Sequence, residues 1–386
     1  MKRGQNEGSI RHRGDGRWEA RLNLGRANGK RVRKSLFGPT RDEVARKLAE
    51  FTAQRNAGLP VPRGVETVGA FLTGWLDHVR TTVAPRTYES YELYVRLHAI
   101  PEIGHVRLAA LRPDHVRALL AHKLKGGLSP RSVIHLRTIL NTAFRQAVND
   151  RLLAWNPVGA TKRPKTARHK YQVLELEQAR AFLDAAHGSK FECALALSLS
   201  LGVRLGEVLG LRWQDIDLDA RELHIEQTIQ RLRARIAGTA GYYVAEPKTD
   251  RSRRHLVVPD ALIALLRRQR AAQAEQRLAA GSQWLGKLGL VFTNETGGPM
   301  DARALRAEFK RILAGAGLAA MRLQDLRHSA ASILLAQGVT LRGVMEVLGH
   351  STITLTANTY GHVAHEMMAD AATRMGAIFG PRAGNA

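Results

Sequence analysis

In RWEARLNL, Trp18, Ala20, Leu22 and Leu24 alternate with polar residues, the two-residue period of a strand covered on one face. The turn GDG separates this segment from GSIRHR, and Asn28-Gly29 marks a hairpin into the returning strand KRVRKSLF. Thr40, followed three residues later by Glu43, forms a capping box, after which Val44, Leu48 and Phe51 continue at helical spacing. Residues 1–60 therefore predict three strands and a helix. GLPVPRG, residues 58–64, has the glycine and proline punctuation of a linker. Beyond it the period is helical: the pattern predicts helices from Thr67 to about Arg80, Pro85 to about Ala99, Pro113 to Leu124 and Ser129 to Leu153. The last is the most sharply patterned. Ser129 can cap, Pro130 suits a first turn, and Val133, Leu136, Leu140, Phe144 and Val148 make one apolar stripe. WNPVGATKRPKTARHK, residues 155–170, breaks the period and reads as a second, basic linker lying along phosphate.

From Tyr171 onward the two periods mix. LELEQARAFLDAA and FECALALSLSLG read as helices, the second ended by Gly202, and GVRLGEVLGLRW begins another with Arg204 and Glu207 within one turn. ELHIEQTIQ, GYYVAEP and RRHLVVP alternate as strands of one small antiparallel sheet, with Lys248 in the turn PKTDRSR. A long polar helix, a strand LVFTNETGG and a helix from Asp301 follow. Then come LQDLRHSAASILLAQGV, with Gly338 as a C-terminal cap, and TLRGVMEVLGH. HVAHEMMADAATRM is a terminal amphipathic helix with Val363, Met367 and Ala371 on one side, suited to pack on its own domain or on a neighbouring copy. The expected fold is multidomain, mainly α with small antiparallel sheets (α+β). A three-stranded sheet plus helix over 1–60 precedes a helical bundle over 65–157 and a mixed α+β domain over 171–386.

Length agrees with this division, since 386 residues exceed one ordinary core and domains hold about 100–200 residues each. Charge adds a partner. The chain has 59 Lys plus Arg against 34 Asp plus Glu, a formal net charge of +25, and such a balance draws polyanions through counterion release. A membrane surface would attract it too, but no apolar run of about eighteen residues occurs and MKRGQNEGSI has no apolar signal core. The protein is expected in the cytoplasm, on nucleic acid. Up to Lys34 there are 11 Lys or Arg against Glu7, Asp15 and Glu19. Arg11, Arg13, Arg17, Arg21, Lys30, Arg31, Arg33 and Lys34 on a thin sheet suit a DNA groove. Away from the apolar stripes, Arg86, Arg96, Arg131, Arg137 and Arg145 are candidates to clamp a duplex, and Lys162, Arg163 and Lys165 of the second linker are candidates for phosphate. Cys193, the one cysteine, excludes an internal disulfide and a multi-cysteine zinc site, and within CALALSLSL it reads as core.

LGHSTITLTANTYGH, residues 348–362, places Tyr360 ten residues after His350. A tyrosine before a glycine at a helix boundary serves packing as readily as attack, so its meaning depends on its company. GVRLGE with LRWQDID, the lysine of PKTDRSRR, the DLRH of LQDLRHS, LGH and TYGH follow one another over about 160 residues. In that order they resemble the tyrosine site-specific recombinases, the phage-integrase family. The N-terminal sheet and helix are similar to the arm-type DNA-binding module of some integrases and the helical segment to their core-binding domain, so the resemblance spans nearly the whole chain.

The resemblance implies a DNA strand transferase acting through a 3′-phosphotyrosyl intermediate, and elementary chemistry agrees. Attack on a phosphodiester builds negative charge on the non-bridging oxygens, which planar two-pronged donors such as Arg204 and Arg327 can meet. Tyr360 is the implied nucleophile, Lys248 the proton donor to the 5′-oxygen, His350 a phosphate ligand, and Glu207 an orienting partner. The phosphotyrosyl bond conserves the energy of the broken bond, so neither ATP nor a metal cofactor is implied. Attachment-site duplexes, a homotetramer on DNA, a DNA-bending accessory protein and an excision factor are the implied partners. One position departs from the pattern: where the family has histidine, three residues before the second arginine, this chain has Gln324, which cannot exchange a proton at neutral pH. A second reading follows from it, a recombinase-fold DNA-binding protein with weak or lost catalysis. His328 lies about 100° round the helix from Arg327 and is a poor substitute.

Overall fold

The computed structural model describes residues 9–27, 30–56, 66–166, 171–233, 241–246 and 253–349. The chain divides into two compact units, Met1–Ala167 and Arg168–Ala386. The segments expected at 1–60 and 65–157 both fall in the first.

In that unit β1 (Ser9–His12), β2 (Trp18–Ala27) and β3 (Lys30–Gly38) form an antiparallel sheet in sequence order. Alternation decides its faces. Ala20 and Leu22 are buried with Val44 of α1 (Arg41–Asn56), which packs on the sheet. The pairs Arg11↔Glu19, Glu19↔Phe37, Arg21↔Ser35 and Asn23↔Arg33 set Arg11, Glu19, Arg21 and Arg33 on the other face. Thr40 caps α1 through its Oγ1, which accepts the Glu43 amide at 3.3 Å, while the Glu43 carboxylate pairs with Lys47 Nζ at 2.7 Å.

The helical part follows the expected spans closely. It comprises α2 (Val68–Val79), α3 (Pro85–Tyr94), a π-helical turn (Val95–Ala99) leading into α4 (Ile100–Ile103), α5 (Pro113–Lys125) and α6 (Pro130–Asn149). Thr67 caps α2 and Ser129 caps α6 through their hydroxyls. Leu72, Val133, Leu136, Leu140 and Phe144 are wholly buried, and Phe144 stacks on Phe71 with ring centroids 5.9 Å apart. Residues 155–161 are not linker. Asn156 Nδ2 donates to the Asn141 carbonyl at 3.1 Å, Val158 is fully buried, and Arg137 donates through Nε to Thr161 Oγ1 at 2.9 Å.

The second unit begins with α7 (Leu176–Ala186), α8 (Glu192–Ser200) and α9 (Leu205–Gly210). Cys193 sits in its core as expected, and burial pushes the thiol up to about 12. The strands depart from expectation. ELHIEQTIQ splits into β5 (Glu222–Ile225) and β6 (Thr228–Arg231), which belong to different sheets. β5 lies between β4 (Ile216–Asp217) and β8 (Arg254–Val257), whereas β6 pairs with β7 (Tyr242–Ala245). Gly210 explains the break: a Cβ there would stand 3.0 Å from the Gln227 carbonyl oxygen and 3.1 Å from the Ile229 nitrogen, so β6 runs against the end of α9 instead of continuing β5. LVFTNETGG forms only isolated bridges, Arg212↔Leu290 and Thr293↔Pro299. Gln273 from α10 (Asp260–Ala280) donates to the carbonyls of Leu290 and Val291, supplying what a second strand would have supplied. The unit continues with α11 (Ala302–Gly315), α12 (Asp325–Ala336) and α13 (Leu341–Leu348). Gly338 and Gly349 follow α12 and α13 with φ of +84° and +63°.

Candidate active site

Arg204 stands at the start of α9 and Arg327 in the first turn of α12. The fold brings both to the carbonyl end of α13, immediately before His350. Arg327, 3% exposed, donates through Nη1 to the Gly202 carbonyl at 2.7 Å and through Nη2 to the carbonyl of Leu348. Arg204 Nη2 donates to the Gly349 carbonyl at 3.3 Å. A third guanidinium joins them: Arg254 of β8 donates through Nε to the Val347 carbonyl at 2.9 Å. Three consecutive carbonyls thus each accept one arginine, where a helix end carries partial negative charge. Gly202 permits the approach, with φ +59° and a position at which a Cβ would stand 2.2 Å from Leu348 Cδ2.

Glu207 joins two of the three arginines. Its carboxylate is 2% exposed and accepts from Arg204 Nη1 at 2.7 Å, from the Arg204 backbone amide at 3.0 Å and from Arg254 Nη2 at 2.8 Å. Burial pushes this carboxyl upward, but the hydrogen bond and charge of Arg254 and the charge of Arg204 outweigh it and hold the group below the usual carboxylate range. Glu207 is thus buried and bonded to both Arg204 and Arg254. Arg254 escaped sequence reasoning, although one signal was present. In RRHLVVP the alternation puts 254 and 256 on the same inward face, and an inward arginine needs a buried carboxylate. The turn after α9 is pinned separately, by Arg212 bonding both oxygens of Asp215 at 2.7 Å.

Lys248, His350 and Tyr360 lie outside the described residues. Gln324 is exposed at the start of α12. His328 packs on Tyr171, with ring centroids 4.1 Å apart.

The basic residues divide into distinct environments. On the open face of the small sheet, Glu19 is 1% exposed and accepts from Arg21 Nε at 2.9 Å and Arg11 Nε at 2.8 Å, with Arg13 3.8 Å away. The Arg21 hydrogen bond, against desolvation and aided by Ser35 and Arg11, lowers this carboxyl to about 2. Arg33 shares that face, whereas Lys34, paired with Leu22, belongs to the helix-covered side, and Arg17 pairs with Asp15 in the turn. The side chains of Lys30 and Arg31 lie outside the described residues. Arg131, Arg145, Lys162, Arg163 and Lys165 are exposed, while Arg86 and Arg96 are ion-paired with Glu89 and Glu92. Arg137, expected on the duplex-facing side, is corrected. It is 8% exposed, and its Nη2 donates to the carbonyls of Val158 at 3.0 Å and Thr161 at 2.8 Å, so it fastens residues 158–161 to α6.

A model of the phage integrase family matches residues 172–367, and one of the phage integrase N-terminal SAM-like domain matches residues 67–124. The chain is 32% identical over 365 residues to a protein named tyrosine recombinase XerC-like from Caldanaerobacter subterraneus subsp. tengcongensis, covering 91% of this chain and 93% of that one. It is 31% identical over 390 residues to an integrase of Streptomyces ambofaciens, covering 96% and 97%. Among solved structures, its fold is similar to that of the Tn1549 transposon integrase in complex with transposon right end DNA, with a TM-score of 0.66, 21% identity and coverage of 79% of this chain and 99% of that one. It is similar also to a lambda integrase tetramer bound to a Holliday junction, with a TM-score of 0.53, 16% identity and coverage of 93% and 96%. The class these matches and the arginine cluster define is the tyrosine recombinases, which are DNA strand transferases. The chain belongs to the phage integrase family. No helix among the described residues is long and apolar enough to cross a membrane.

Proposed function

We propose that this protein is a site-specific DNA recombinase that cleaves and rejoins strands at attachment sites through Tyr360. The observation that carries the reading is the convergence of Arg204 and Arg327, remote in sequence, on the consecutive carbonyls of Leu348 and Gly349 that lead into His350. The Tyr360 hydroxyl releases its proton to water as Oη attacks the phosphorus, the phosphorus–oxygen bond to the 5′-oxygen breaks, and Lys248 protonates that oxygen. Arg204, Arg327 and His350 meet the charge on the non-bridging oxygens, and Glu207 keeps Arg204 in place. The 5′-hydroxyl of a partner strand then attacks the phosphotyrosyl bond and restores the duplex. Gln324 leaves the arginine geometry intact, since it stands exposed at the head of α12, and the named relatives favour turnover over a binding-only role.

The reading extends to assembly and location. Residues 1–60 bind arm-type sites, residues 65–157 bind core DNA, residues 171–386 carry the cleavage chemistry, and four copies act together on DNA in the cytoplasm, with a bending protein and an excision factor as accessory partners. The lambda integrase tetramer on a Holliday junction supports the assembly by its similar fold. Incubation with a nicked attachment-site duplex, from which the cleaved fragment escapes, tests the chemistry. The unaltered protein is expected to form a covalent adduct with DNA, and Tyr360→Phe to form none while binding as tightly. Tight binding without any adduct from the unaltered protein overturns the reading.

A further inference from the structure

The solvent face of the β5–β8 ladder carries a cluster that strand transfer does not use. The register sets His224 opposite His255 and Glu222 opposite Val257. Alternation sends Leu223, Ile225, Arg254 and Leu256 inward and leaves Glu222, His224, His255 and Val257 on the outer face. Directly opposite residues of an antiparallel pair hold their Cβ atoms about 4.5–5.5 Å apart. Here the two imidazoles stack with centroids 4.9 Å apart and planes inclined by 28°. Both face one carboxylate oxygen: Glu222 Oε2 is 3.2 Å from His255 Nε2 and 4.0 Å from His224 Nε2. One donor atom from each of the three side chains lies within 4.8 Å of the other two.

A tetrahedral zinc ion with bonds of about 2.0–2.1 Å sets its ligands roughly 3.3 Å apart. The two measured separations, 3.2 and 4.0 Å, bracket that edge. We infer that Glu222, His224 and His255 form a binding site for a divalent transition ion of the zinc, cobalt or nickel class, completed by water. Two imidazole nitrogens and one carboxylate oxygen suit those ions, whereas magnesium and calcium favour oxygen alone. The surroundings favour a cation as well. Asp217 is the cross-strand neighbour of Glu222 on β4, and Arg253 is already paired with Glu246 at 2.8 Å and Glu226 at 3.8 Å. β8 presents His255 outward and Arg254 inward, so an ion held here ties β8 to β5 across the strand that keeps Arg254 on Glu207.

Calorimetric titration of the tag-free full chain with zinc, and the visible spectrum of added cobalt, test the site. The unaltered protein is expected to bind an ion that His224→Ala/His255→Ala loses, with affinity falling at least about ten-fold and the zinc-induced rise in Tm disappearing. Glu222→Gln, which keeps both imidazoles, is expected to fall between the two. All three positions are on the solvent face, so the substituted chains retain the fold, which circular dichroism checks. Identical isotherms for the unaltered and doubly substituted proteins overturn the inference, as does an unaltered protein that binds nothing up to about 1 mM zinc. The cluster is then an ion pair alone.

Discussion

Arg254 illustrates how one side chain sets the geometry of others. It is a positioning residue, since it grips Glu207 and the Val347 carbonyl, and through Glu207 it fixes Arg204. Arg254→Met leaves a buried carboxylate with one partner fewer, and breaking such a buried pair costs about 3–5 kcal/mol. Urea unfolding is expected to show that loss, together with slower cleavage at unchanged DNA affinity. Pairing the change with Glu207→Leu removes the stranded charge, so the double variant is expected to regain part of the stability but none of the cleavage rate. Stability restored together with rate would show that Arg254 acts only as packing. Arg204, Glu207 and Arg327 were legible because GVRLGE and DLRH, in that order, resemble motifs of the phage-integrase family. Arg254 was not, because its importance arises from a carboxylate remote in sequence.

At the scale of elements, the small sheet is built around Glu19. Arg11 and Arg21 close over it on the face opposite α1, which turns a mutually repelling basic surface into an ordered one. The carboxyl titrates at about 2 in the folded chain against 4.5 ordinarily. Its contribution to stability is therefore fully present above about pH 4.5 and is lost as pH falls toward 2. Glu19→Gln is expected to lower the unfolding midpoint at pH 7, and the difference from the unaltered chain is expected to vanish near pH 2. A difference independent of pH would show that the ion pairs contribute nothing. The other departures share one cause. Arg137 reads as a surface cation by spacing but is buried against Thr161, and ELHIEQTIQ reads as one strand but divides where Gly210 admits β6. Local period describes a face; it does not say what covers it.

At the scale of the whole molecule, a net charge of +25 makes binding to DNA strongly dependent on salt. The logarithm of affinity is expected to fall linearly with the logarithm of salt concentration, by about 0.9 per phosphate neutralised on duplex DNA. Removing residues 1–60 is expected to make that slope shallower and to weaken binding at arm-type sites, while cleavage of a core duplex persists. Equal loss of arm binding and core cleavage would contradict the assignment of the segments. Gel-shift titrations at several salt concentrations, run beside the cleavage assay, measure both.

By itself the sequence determined the class of fold, most helices of both units, the basic character of the N-terminal sheet and the order of the motifs containing Arg204, Lys248, Arg327, His350 and Tyr360. The elements rest on local chemistry, their period, caps and turns, and the motifs on their resemblance to the phage-integrase family. Tertiary structure alone decided that Arg204, Arg254 and Arg327 meet on Val347, Leu348 and Gly349, that Arg137 faces inward, and that His224 and His255 stand side by side over Glu222. Each of these depends on which remote strand or helix closes over a residue, and spacing along the chain carries no measure of that.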